Sequence, residues 1–130
     1  GAQCMSWQTS PAATELAARV MRWLARMTGL GDGFEGVIQD TASTSTLASL
    51  LTAREKATGF SSNKRGLAGA KRMVVYCSRE THSSVEKDAR IAGIGQENVR
   101  KIAVDGRYAL VPERLEEAIV ADIRAGLIPC

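Results

Sequence analysis

The chain has 130 residues, 45% hydrophobic and 24% charged, enough for one modest domain with its own core. Its net charge is +3, and the one basic cluster, Asn63-Lys64-Arg65 with Lys71-Arg72, sits among glycines and serines. Few aromatic residues stand by to stack bases, so a solvated loop is favoured over a nucleic-acid surface. No apolar run approaches the roughly 20 residues of a membrane helix, and nothing resembles a secretory signal. Cys4, Cys77 and Cys130 lack metal-ligand spacing. Reduced thiols in a cytoplasmic protein without a metal site are expected.

Ser10-Pro11 predicts a helix start, with Leu16, Val20, Trp23, Leu24 and Met27 on one face and Gly29, Gly31 and Gly33 ending it. A short strand, Val37-Ile38-Gln39, then leads to Thr41 and a helix reaching about Thr58, with Leu47, Leu50 and Leu51 inward. Residues 59–70 are expected to form a flexible loop. Met73–Cys77 predicts a buried strand, Ser83–Ile91 a helix and Val99–Val104 another strand, after which Asp105-Gly106 turns the chain. Pro112 opens a last helix that Gly126 stops, and a further strand begins beyond it. Strands alternating with helices predict an α/β protein of αβα layers around a mostly parallel sheet.

Gly31–Gly36 spells GxGxxG, but a helix precedes it and a strand is expected after it. That order is wrong for a dinucleotide turn, so these glycines read as helix stop and loop. Asp40-Thr41-Ala42-Ser43 has the order strand then helix. Capping by Asp40 or Thr41 explains it locally. The functional reading is that the Ala42 and Ser43 N–H groups, with the Thr41 and Ser43 hydroxyls, hold a phosphate at the positive end of the helix. His82, the chain's only histidine, lies at the next strand-to-helix turn, where ligands of open α/β sheets collect. Ser83 with Glu86 spells a capping box at the same turn.

Taken together, SPAATEL at 10–16, GVIQDTAS at 36–43, HSSVE at 82–86, DGRY at 105–108 and AGLIP at 125–129 carry a resemblance. From about Ser10 to Pro129 the chain resembles the group II pyridoxal-phosphate-dependent amino acid decarboxylases, closest to the aromatic-L-amino-acid decarboxylase branch. The resemblance implies the type I pyridoxal-enzyme fold, with residues 1–130 forming a segment of the cofactor-binding large domain of a homodimer. It implies decarboxylation of an aromatic L-amino acid to the amine and carbon dioxide, with pyridoxal 5'-phosphate as cofactor. The family's phosphate-binding turn falls on Thr41, Ala42 and Ser43. Its ring-stacking histidine falls on His82, over the cofactor ring and near the substrate carboxylate.

Departures are Ala17, where the family often has glutamate, and the missing Schiff-base lysine. That lysine normally follows a histidine, whereas Lys56, Lys64, Lys71, Lys87 and Lys101 follow other residues. The aspartate that pairs with the pyridinium nitrogen is missing from its context too. With no initiator methionine and an end just after Pro129, the chain is expected to be a piece of a longer protein, holding half of a cofactor site and inactive alone. Cut from its neighbours, it is expected to self-associate through strand edges and apolar helix faces. Alternatives are a decarboxylase for another amino acid, such as glutamate or histidine, and a non-catalytic α/β binding module.

Overall fold

Four helices are each followed by a glycine, and that punctuation sets the architecture. The computed structural model describes residues 6–130, in a unit ending at Asp40 and a unit from Thr41 to Cys130. Cys4 therefore lies outside the described residues. Helices α1 (Pro11–Met27), α2 (Ala42–Ala57), α4 (Ser84–Ile91) and α5 (Pro112–Arg124) run into Gly29, Gly59, Gly93 and Gly126, all at positive φ. After α1, the Gly29 N–H reaches the Arg26 carbonyl and the Leu30 N–H reaches Ala25; the same pair of bonds closes the other three helices. This is the Schellman stop, in which a left-handed residue lets the chain turn back onto its last carbonyls.

In the first unit Ser10 takes the N-cap position, but its hydroxyl makes no cap bond. Its carbonyl instead accepts from the Thr14 N–H and hydroxyl. The predicted apolar face of α1 forms, yet Leu16, Trp23, Leu24 and Met27 are all exposed. A groove of about 500 Å³ lies between α1 and the following segment, lined by Ala17, Met21, Val37 and Ile38 among others.

Val37–Gln39, expected as a strand, has no regular structure, a correction with a simple cause. A strand exists through the ladder it joins, and the ladder here consists of three other strands, leaving Val37 74% and Ile38 61% exposed.

The second unit is an αβα sandwich. Strands β1 (Met73–Ser78), β2 (Val99–Ile102) and β3 (Ile128–Pro129) make a parallel sheet of order β2-β1-β3. Val75 pairs with Val99, and both meet the core formed with Ala89, Ala92 and Ile94, against which Leu47, Leu50 and Leu51 pack. The next pair in the ladder, Tyr76 and Arg100, points to the opposite face, where both side chains hydrogen-bond Asp122 of α5. So α2 and α4 cover one face and α5 the other. The crossover through α4 steps one way along the sheet and that through α5 steps back on the opposite face, which gives both the same hand.

Residues 59–70 differ from the expected loop by containing a one-turn helix, α3 (Ser62–Arg65). Ser62 is buried, and its hydroxyl donates to the Glu55 carboxylate, tying the turn back to α2. No helix among the described residues is long and apolar enough to cross a membrane.

Candidate functional site

The site is built where two helices begin. At the start of α2, Thr41 is the cap: its Oγ1 accepts from the Thr44 N–H at 3.1 Å, and its carbonyl accepts from the Ser45 N–H. Thr41, rather than Asp40, therefore does the capping. Its hydroxyl lies 2.9 Å from that of Thr44. Among the described residues, the Ala42 and Ser43 N–H groups and the Ser43 hydroxyl have no hydrogen-bond partner. A helix start leaves such N–H groups over and adds the positive end of its dipole, and here the bordering side chains are a methyl and a hydroxymethyl. The arrangement can accept a compact anion such as a phosphate ester.

The second turn follows β1. The Ser83–Glu86 capping box does not form: Ser83 makes no side-chain cap bond, and Glu86 instead reaches Lys101 on β2, 2.9 Å away. His82 replaces it, its Nδ1 accepting the Ser84 N–H at 3.1 Å. Lys101 neighbours Cys77 across the ladder, on the face that α4 covers, so Glu86 finds a full charge there instead of a backbone amide. That hydrogen bond with Glu86 raises the Lys101 pKa above its ordinary value.

The topology puts the His82 turn in a place suited to a ligand. The connection leaving β1 passes to the α4 face, and that leaving the adjacent β2 passes to the α5 face. Connections that part in this way open a crevice at the carboxyl ends of their strands. The Arg79 N–H bonds to the Ile102 carbonyl at 2.9 Å and ties the rims together. On the β2 rim the Asp105 carboxylate accepts from the Arg107 and Ala109 N–H groups, making the expected turn and holding exposed Tyr108 at φ 62°.

Helices α2 and α4 lie side by side through Leu47, Leu50 and Leu51. Their C-terminal ends are joined where Arg54 Nη1 donates to the Ala92 carbonyl at 2.7 Å. Two helices side by side with their ends together run the same way, so both begin at the carboxyl edge of the sheet. From that joint α2 extends back about 18 Å to Ala42 and α4 about 12 Å to Ser84, at 1.5 Å per residue. Of the four sequence-predicted site residues, Thr41, Ala42 and Ser43 thus sit at one helix start and His82 at its neighbour. One premise changes: only the His82 turn follows a strand.

The sequence matches the pyridoxal-dependent decarboxylase conserved domain over residues 1–130. The chain belongs to the pyridoxal-dependent decarboxylase family. It is 46% identical over 132 residues to tyrosine decarboxylase 2 of Narcissus pseudonarcissus, covering 95% of this chain and 26% of that protein. With the phenylacetaldehyde synthase of Arabidopsis thaliana it shares 45% identity over the same lengths. The crystal structure of Oryza sativa TDC with PLP and tryptamine superposes with a TM-score of 0.81 at 40% identity, covering 95% of this chain and 27% of that one. The chain thus spans about a quarter of the relatives it matches, and its fold is part of the type I pyridoxal-enzyme fold.

The two helix starts fit the family's cofactor: unclaimed N–H donors and small side chains at Ala42 and Ser43 suit its phosphate, and the exposed imidazole of His82 is free to meet its ring. The sequence reading missed Tyr76, Arg100 and Asp122, which bond β1 and β2 to α5 on the face opposite α2 and α4. An aspartate one residue before Ile123 on the last helix was a visible signal, but only the sheet register reveals its partners.

Proposed function

We propose that this chain forms part of the cofactor-binding large domain of a pyridoxal-phosphate-dependent decarboxylase acting on an aromatic L-amino acid. The observation that carries the reading is the pair of unclaimed N–H groups at Ala42 and Ser43, on a helix that starts beside the His82 turn. When bound, pyridoxal phosphate supplies the electron sink for the pair left behind as carbon dioxide departs. Ala42 and Ser43 bind its phosphate, Thr41 keeps the helix start open by taking the Thr44 N–H, and His82 covers the ring and faces the substrate carboxylate.

The tyrosine decarboxylase and aldehyde synthase relatives support an aromatic substrate, and an assay should follow both amine and aldehyde. Assembly as a homodimer in the cytoplasm belongs to the same proposal. The uncovered apolar face of α1 supports association with further protein surface.

The test is Ser43→Glu in the full-length protein, which puts bulk and negative charge where the phosphate would sit. Charge-assisted hydrogen bonds contribute about 1.5–3 kcal/mol each, so cofactor affinity should fall about a hundredfold or more. Cofactor retention equal to that of the unaltered protein would contradict the assignment.

A further inference from the structure

We propose that His82 is held in a single tautomer that donates from Nε2, and that the first N–H of α4 is the positioning group that holds it. The inference rests on the decarboxylase reading above and goes beyond it in saying which imidazole nitrogen works, and how.

His82 Nδ1 lies 3.1 Å from the backbone nitrogen of Ser84 and accepts its hydrogen. A nitrogen that accepts carries no hydrogen of its own, and a neutral imidazole has one N–H to place. It therefore sits on Nε2. A proton on Nδ1 would set two donors against each other and break the bond. The capping box that could otherwise tie down this helix start does not form: Ser83 makes no cap bond and Glu86 is paired with Lys101. The ring is thus part of the helix start, and its orientation is set by backbone geometry as well as by side-chain packing.

Two consequences follow for a bound amino acid. With Nδ1 occupied, the polar edge that the exposed ring offers is an N–H donor, suited to one oxygen of a carboxylate. His82 therefore binds and orients the carboxylate through Nε2.

The experiment is a long-range proton–nitrogen correlation spectrum of the cofactor-loaded full-length protein labelled with ¹⁵N-histidine, with His82 assigned by its disappearance in His82→Gln. The expected result at neutral pH is a pyridine-like Nδ1 and a pyrrole-like Nε2. A protonated Nδ1, or averaging between tautomers, would overturn the proposal. A second variant separates donor from cap. His82→Asn keeps a side-chain oxygen able to accept the Ser84 N–H but has no atom at the Nε2 position. At saturating pyridoxal phosphate, KM for the amino acid should rise about ten- to a hundredfold, the worth of one hydrogen bond to a charged group, with kcat changing less. An unchanged KM would mean that His82 only caps the helix. If the unaltered protein held no pyridoxal phosphate, the decarboxylase reading would fall, while the tautomer spectrum would still report on the His82–Ser84 bond.

Discussion

Replacing Asp122 by alanine should cost the protein more stability than any other single change on the α5 face. Asp122 is 7% exposed and is the point where three elements meet. Its Oδ1 accepts from Arg100 Nη2 at 2.7 Å, and its Oδ2 accepts from Arg100 Nε and the Tyr76 hydroxyl, both at 3.0 Å. Removing the carboxylate leaves a guanidinium and a hydroxyl facing an apolar layer. Breaking a buried pair from one side costs about 3–5 kcal/mol. The Arg100 side chain is 31% exposed, so water recovers part of that, and about 2–3 kcal/mol is expected. Tyr76→Phe, which removes one neutral donor, should cost about 1 kcal/mol.

Urea denaturation of the two variants and their double mutant measures both terms. In the double mutant the Tyr76 hydroxyl has no acceptor to lose, so its cost should fall short of the sum. Strict additivity, or a loss below about 1 kcal/mol for Asp122→Ala, would refute the reasoning. The sign of the pH dependence is fixed as well. The hydrogen bond from Arg100 holds the Asp122 carboxyl below its ordinary value. Between the two values the unfolded chain binds more protons, so this contribution is present above about pH 4 and lost as pH falls through the folded value. Burial, then the hydrogen bond to Asp122, pushes Tyr76 up to about 12. Its contribution is present below about pH 10 and fades as pH rises through about 12. Asp122→Asn should flatten the acid limb.

Thr41→Val removes the oxygen that caps α2 and should destabilise by about 1 kcal/mol in thermal denaturation, with Thr41→Ser largely restoring it. Glu86→Gln, at a pair whose side chains are 30% and 34% exposed, should change stability by less than about 1 kcal/mol and remove some of its salt dependence. Gly126→Ala forces a side chain onto φ +77° at the stop that feeds β3 and should cost about 1 kcal/mol or more, although the space beside it is open.

Much of the architecture was legible from short-range signals. Helical spacing marked Leu47, Leu50 and Leu51 as inward, Pro11 and Pro112 marked two helix starts, and Gly29 and Gly126 marked two stops, because each depends on chemistry within a few residues. Strand and capping readings failed where the deciding partner was remote. Val37-Ile38-Gln39 has the composition of a strand but no ladder to join. Glu86 has the spacing of a capping box, yet a lysine on the neighbouring strand draws it away.

The sequence by itself determined that strands and helices alternate, that Thr41 opens a helix with small residues behind it, and that a lone histidine stands at a strand-to-helix turn. These are local facts, written in spacing and side-chain size. Only the tertiary structure decided that α2 and α4 start at one edge, that Asp122 joins Tyr76 and Arg100, and which histidine nitrogen the backbone takes. Those outcomes depend on hydrogen-bond directions and sheet register, which are fixed only once distant parts of the chain are packed together.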